Sequence, residues 1–375
     1  MANTLNLGTD GNWAVKKDSL LAYNSENGNF KPLPFDFTRA SSATVVNKAG
    51  LIETVGSGEP RIDFSNDAKG ALLLEPTRSN IVTYSELFNT YLSARVDTTI
   101  TDNYGVSPDG SLNSSRIQFI DDTSYCYAGL SISTSHTASC YVKGVQGEIV
   151  RFGIGSTIAT GSLFTFNGEW QRIEYTTSSA TQIFFSNYNG ANTSDFEVFG
   201  LQLEQGSYAT SYIPNFGNSA GATRSADACN QTPPSGIIGQ AEGTLFIHLK
   251  DLKFNLLGTN LSTIILDAGL YYTNSIGFAS QVNGDIRVSK YTSGTQSTID
   301  TITLLDELKI AVSYNSTSII IYVNGQLSLS SSNTSALYTR LVLNNATRES
   351  KFYIPSLGLY NTILSNSELQ ALTTI

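Results

Sequence analysis

Apolar and polar residues alternate along this chain in short runs, with turn residues between the runs at intervals of about ten positions. Ala138, Cys140 and Val142 alternate with Ser139 and Tyr141, the period-two pattern of a strand with one buried face. The pattern predicts strands at 115–120, 137–142, 149–153, 170–175, 183–185 and 196–203, a spacing that suits a β-sandwich. Further on, apolar runs at 308–314 and 318–323 flank Asn315-Ser-Thr. The second runs into Asn324-Gly325, a hairpin signal because a type I′ turn needs positive φ at both central positions. Upstream, short strands such as 43–46 and 61–64 alternate with turns and show no obvious core of their own. Near the end, Ser365 and Glu368 form a capping-box pattern, and Leu369 with Leu372 would seat that short helix. The expected division is an irregular N-terminal segment over 1–84, a sandwich over 85–229, a linker over 230–242 and a second sandwich over 243–375.

Composition agrees with an all-β reading. Charged residues are 14% of the 375, and polarity comes instead from Ser, Thr, Asn and Gly, which suit strand surfaces and turns better than helix faces. The 19 Tyr and 18 Phe supply apolar area for sheet cores. A net charge of −9 without a Lys/Arg tract argues against nucleic-acid or anionic-membrane partners. No segment approaches the roughly 18 apolar residues of a membrane span. The start, MANTLNLGTDGNWAVKK, lacks the basic and apolar regions of a signal peptide, so synthesis in a bacterial cytoplasm is expected. Cys126, Cys140 and Cys229 share no metal-binding spacing and are read as buried thiols.

Candidate chemistry is sparse. His136 and His248 have no triad or metal context, and nothing marks Asp267 and Asp285, or Glu169 and Glu174, as the facing pair glycoside hydrolysis needs. No catalytic residues are therefore assigned, and the chain is not expected to be an enzyme. No cofactor is required; calcium is a candidate, with Asp121 and Asp122 as its ligands among the loop acids that include Asp102 and Asp109. Sugar binding on a sandwich uses exposed aromatics that stack on pyranose faces. Tyr125 and Tyr127 point the same way on one strand, Tyr188 sits in the amide-rich loop SNYNGAN, and Tyr271 and Tyr272 lie between two C-terminal strands. Trp13 and Trp170 are assigned to cores.

The stretch FTRASSATVVNKAGLIETVGSGEPRIDFSNDAKGALLLEPTRSN, at 37–80, resembles the front cassette of bacteriophage virion fibre proteins, and its wording resembles proteins of phages infecting Bacteroidetes, including crAss-like phages. GEWQRIE at 168–174 and FGLQLE at 199–204 resemble the last strands of family 4/9-type carbohydrate-binding modules. The tail LEQGSYATSYIP at 203–214 resembles the exit that fibre proteins place after such a module. GTLFIHL at 243–249 and LGLYNTILSNSELQAL at 357–372 resemble the first strand and last helix of a laminin-G or concanavalin A-like sandwich. The resemblance implies an irregular β-rich attachment segment, a central jelly roll and a C-terminal concanavalin A-like domain. It implies a head or tail fibre subunit or capsid decoration on the virion exterior. Its partners would be other virion proteins (capsid, portal or tail), further copies of itself, a trimer being favoured, and host-surface or mucus glycans. A structural spacer and a capsule depolymerase are the alternatives; no long β-helix of the depolymerase kind is visible. ThrArg recurs as Thr38-Arg39 and Thr223-Arg224, and both arginines are expected to be structural forks bonding carbonyls or carboxylates where segments cross. That recurrence suggests a cassette bracketing the jelly roll, with the virion anchor shrinking to 1–34.

Overall fold

The computed structural model describes residues 4–24, 29–231, 241–254, 262–267, 274–281, 284–293, 295–332, 338–344 and 350–375. Antiparallel strands dominate them, in sandwich-like layers of the jelly-roll and concanavalin A-like kind. The chain divides into two units, one formed by 1–48, 55–77 and 225–375, the other by 49–54 and 78–224.

In the first unit, Gly243–Phe254 pairs with Glu307–Tyr314 on one side and Ser350–Tyr360 on the other. Thr4–Leu7 and Ala71–Leu74 also pair with Ser350–Tyr360. Ala228–Gln231 pairs with both Asn29–Thr38 and Arg340–Asn344. Leu5, Leu7, Leu20, Phe35, Phe37, Leu72 and Leu74 share one core with Leu245, Ile247, Ile310, Val312, Ile354 and Leu357. The separate attachment segment expected over 1–84, or over 1–34, is thus corrected. Its apolar side chains are too few to cover one another, and they bury themselves among the C-terminal strands. At about 1.5–3 kcal/mol for each fully buried Leu or Phe, detaching them would cost more than about 10 kcal/mol, comparable to a whole domain's net stability. The expected boundaries at 85 and 229 move as well, because 78–84 belong to the second unit and 225–231 to the first. Most of the expected linker, 232–240, lies outside the described residues.

A buried charge network fastens the first unit. Asp227 Oδ1 accepts from Arg39 Nη1 at 3.1 Å, and Oδ2 accepts from Arg61 Nη2 and from the Glu75 amide at 2.9 Å. Arg61 Nη1 donates to Glu75 Oε2 at 2.8 Å and to the Thr44 carbonyl at 3.1 Å. Arg39 also donates to the carbonyls of Ser41 (2.9 Å), Glu59 (2.9 Å) and Gly56 (2.6 Å). The ion-paired side chains are all fully buried. Burial alone would push the Arg61 pKa down, but Asp227 and Glu75 outweigh it and hold the guanidinium charged. Two cations and two anions therefore cancel inside the protein, the condition under which buried charge is tolerated. Arg224 is buried in the second unit, where it is the register partner of Arg78.

The local signals near the C-terminus appear as turn and cap. Asn324 (φ 48°) and Gly325 (φ 78°) join Ser318–Val323 to Gln326–Ser332. Ser365 and Glu368 form a reciprocal capping box, and Leu369 is buried. Tyr338 packs edge-on against Tyr314 at 4.8 Å with its hydroxyl buried and, among the described residues, without a hydrogen-bond partner. Tyr338→Phe removes that unsatisfied group while keeping the ring, so stability is expected to hold or to rise by about 1 kcal/mol in chemical denaturation. A loss of that size instead would show that the hydroxyl has a bound partner.

The second unit is a two-sheet sandwich. Its strands are Ala94–Val96 (β1), Thr98–Val106 (β2), Leu112–Phe119 (β3), Tyr125–Ile132 (β4), His136–Gly144 (β5), Ile149–Gly155 (β6), Ser162–Thr165 (β7), Gln171–Thr177 (β8), Ala180–Ser186 (β9) and Asp195–Gln205 (β10). One sheet has the order β1-β4-β9-β6-β7, the other β2-β3-β10-β5-β8, and all neighbours are antiparallel. Between them lies a core that includes Cys126, Cys140, Val142, Phe152, Ile183, Phe185, Val198 and Leu203. Cys126, Cys140 and Cys229 are free and buried, and burial pushes the Cys126 thiol up to about 12.

Candidate functional site

Strand register decides which side chains reach the outside of the β1-β4-β9-β6-β7 sheet. Cys126, Phe185 and Phe152 stand opposite one another and all point into the core. Their neighbours by one residue must therefore face out. Tyr125, Ser186 and Arg151 form one outward row, Tyr127, Phe184 and Gly153 the next, and Gly129, Gln182 and Gly155 a third. Tyr125 and Tyr127 are half-buried, with ring centroids 6.1 Å apart and planes inclined by 34°. Gly129 is exposed, and a Cβ placed there would meet nothing within 4 Å. The result is a tyrosine ledge running onto a bare stretch of the same strand.

Two loops border the ledge. The Asn187 amide donates to the Ser124 carbonyl at 2.9 Å, and its side-chain Nδ2 donates to the Asp121 carbonyl at 2.9 Å. These bonds bring the Asp121 turn and the Tyr188 loop to the same end of β4. Tyr188 is 36% exposed, and Asn187, itself buried, has a buried Oδ1 with no hydrogen-bond partner among the described residues. Arg151 holds the loop from beneath: Nε donates to the Tyr188 carbonyl (3.2 Å), Nη2 to that of Asn189 (2.8 Å) and Nη1 to that of Gly161 (3.2 Å). Three of the five candidate tyrosines thus come together at one place. Tyr271 and Tyr272 lie outside the described residues.

Arg151, Asn187 and Gly129 are absent from the sequence-based candidates. Arg151 alone carried a signal, being a cation in step with the outward glycines Gly153 and Gly155 of an otherwise apolar strand.

Asp121 and Asp122, the calcium candidates, are both exposed. The Asp121 carboxylate caps its own turn, accepting from Thr123 N and Oγ1 (both 2.8 Å) and from Ser124 Oγ (3.2 Å). Its Thr123 bond, above all, holds its pKa below the ordinary aspartate value. Among the described residues no group of three or more His, Cys, Asp or Glu side chains could hold a metal ion. Asp102 and Asp109 likewise serve local hydroxyl and amide donors. Asp267, weighed as a catalytic acid, is bound by Arg340 through two bonds of 3.0 and 2.6 Å. His248 Nε2 lies 2.7 Å from Glu307 Oε1, and half-buried His136 bonds a neighbouring carbonyl.

Trp170 departs from its expected place in the core. It immediately precedes β8 (Gln171–Thr177), so the strand's alternation does not carry its ring into the core that Ile173 joins. It is half-buried, with Nε1 donating to the Val106 carbonyl at 3.2 Å. Trp13 is also half-buried but does pack against its unit's core, donating to the Gly70 carbonyl at 3.0 Å.

The outer face of the second sheet is occupied by the chain itself. Gln202 and Glu204 point away from the core yet are fully buried, because the 206–213 tail folds over them. Glu204 accepts from Gln202 Nε2 (2.6 Å), Thr210 N (2.9 Å) and Thr210 Oγ1. Arg172 donates to the Thr210 carbonyl at 2.6 Å. Tyr212 donates to Glu86 Oε1 at 2.8 Å, and Asn113 Nδ2 donates to Oε2 at 3.0 Å. Burial raises the Glu86 pKa, with Asp109 adding to the rise against the Tyr212 and Asn113 bonds. A raised folded-state value contributes stability that is complete below the ordinary value of 4.5 and is lost as pH rises through the folded value. Glu86→Gln is therefore expected to flatten the dependence of the melting temperature on pH just above 4.5. An unchanged pH profile would show that Glu86 is not the group responsible.

No family model matches the chain, and no curated protein does. Among solved structures, domain 4 of AbnA, a GH43 extracellular arabinanase from Geobacillus stearothermophilus in complex with arabinotriose, is 15% identical. That match has a TM-score of 0.32 and covers 40% of this chain and 73% of that one. The Ruminococcus gnavus IT-sialidase CBM40 bound to α2,3 sialyllactose is 16% identical with a TM-score of 0.27, over 36% of this chain and 84% of that one. A Bacillus licheniformis β-glucanase is 14% identical with a TM-score of 0.28, over 36% and 71%. At these TM-scores the likenesses carry no weight for ligand or activity. Among the described residues no helix is long and apolar enough to cross a membrane.

Proposed function

We propose that this protein is a non-catalytic glycan-binding component of a bacteriophage virion surface, a fibre subunit or decoration. The observation that carries the binding role is the ledge of Tyr125, Tyr127 and exposed Gly129 along β4 beside Tyr188, where the outer face is not covered by the 156–161 loop that buries Phe184 and Ser186. A pyranose presents a face of C–H groups that packs against the electron-rich face of an aromatic ring, while ring hydroxyls bond to amides and phenol groups nearby. The virion assignment is supported by the cassette and by the jelly-roll exit, which resemble parts of phage fibre proteins. Attachment through further virion proteins, trimeric assembly and calcium binding belong to the same proposal. A second reading, a rigid spacer, is favoured by the buried Arg39–Asp227–Arg61–Glu75 network, which stiffens without creating a ligand surface.

Antibody labelling of purified phage particles tests the virion role: the expected result is label on intact particles, and label confined to lysate proteins would exclude it. Retention of the full chain on host capsule or mucin, without release of reducing ends, tests the binding role. Released reducing ends would replace it with a depolymerase.

A further inference from the structure

The charge of the ledge narrows its ligand. Arg151 is the one arginine or lysine in the outward rows that Tyr125 and Tyr127 begin, and all three of its nitrogens donate to backbone carbonyls of Tyr188, Asn189 and Gly161. It is buried, and three of its five N–H groups are spent on those carbonyls, so it positions the Tyr188 loop and is largely withdrawn from an incoming anion. The bordering loops carry no cation either: 156–161 reads STIATG and 187–194 reads NYNGANTS. The 121–124 turn supplies two exposed carboxylates, Asp121 and Asp122. A uronate, sialate or sulfate on this surface would meet like charge with no partner, and stripping water from an unpaired anion is costly.

Resting on the glycan-binding reading, we propose that the ledge takes neutral glycans and rejects acidic ones. The groups left to make polar contacts are uncharged. They are the tyrosine hydroxyls and the Gln182 amide. They suit sugar hydroxyls rather than carboxylates.

The test is binding of the full chain to an array of neutral polysaccharides (glucans, mannans, galactans) and acidic ones (polysialate, hyaluronan, alginate, sulfated galactan). It is run beside Tyr125→Ala/Tyr127→Ala and Gly129→Gln. Gly129 has ordinary backbone geometry and open space above it, so Gln there obstructs the ledge without strain. The expected result is retention on at least one neutral polymer, with acidic polymers weaker by at least about tenfold and neutral binding reduced at least about tenfold by either variant. Stronger binding to an acidic polymer that both variants abolish would overturn the charge inference while leaving the ledge as the site. Binding to neither class, or binding that neither variant alters, would overturn the ledge itself.

Discussion

Asp227→Asn is expected to lower the stability of the first unit by about 3–5 kcal/mol, as breaking a buried ion pair does, and its melting temperature by roughly 10 °C. The carboxylate neutralises Arg39 and Arg61 together, and it accepts the Glu75 amide as well. Asparagine keeps the shape, but it leaves a surplus positive charge where no water can reach and turns one acceptor into a donor. The exposed pair Lys69–Asp10 supplies the control. Its side chains are 64% and 79% exposed, so Asp10→Asn is expected to change stability by less than about 0.5 kcal/mol. Calorimetry of both variants separates the outcomes. If Asp227→Asn melts like the parent, Asp227 does not fasten residues 39–75 to the C-terminal strands.

The second large effect concerns binding. Tyr125→Ala/Tyr127→Ala is expected to weaken retention on a recognised polysaccharide by at least about tenfold, the loss of roughly 1.4 kcal/mol or more. The fold should survive, because both rings stand on the outer face and the core under them is built by Cys126, Ala128, Phe185 and Phe152. A circular dichroism spectrum and melting temperature close to the parent's, together with lost retention, is the predicted combination. A variant that unfolds would instead show these rings to be structural, and Tyr188→Ala, at an exposed loop position, would then carry the binding test alone.

Much of the second unit was legible in the sequence because its signals are local. The alternation at 138–142, the strands near 149–153 and 196–203, and the shared face of Tyr125 and Tyr127 follow from a period of two. The Asn324-Gly325 turn and the Ser365 cap are written in adjacent residues. The discontinuous first unit was not legible. Arg39 meets Asp227 across 188 positions and Phe37 shares a core with Leu245, and neither contact leaves a mark in the intervening chain. The recurrence of Thr-Arg led to the fork reading of both arginines but did not name Asp227, three residues beyond Arg224, as the carboxylate that receives Arg39. Trp170 was not legible for another reason: it lies just before β8 and not on it, so the strand's alternation does not fix its burial. Joining the Asp121 turn to the Tyr188 loop required the Asn187 bonds, again a long-range contact.

Most of the cassette at 37–80 is part of the first unit's architecture, while 49–54 and 78–80 belong to the second. Arg39, Arg61 and Glu75 are its charged contributions, and Phe37, Leu72 and Leu74 are its contribution to the core. A virion attachment surface, if carried by this unit, must lie on residues that remain exposed after that packing.

The glycan-binding account is tested most directly by affinity electrophoresis of the full chain and of Tyr125→Ala/Tyr127→Ala through gels containing host-surface polysaccharide. Retardation of the parent and free migration of the variant, at equal melting temperatures, is the predicted result. Equal migration of the two proteins in every polysaccharide gel would contradict it.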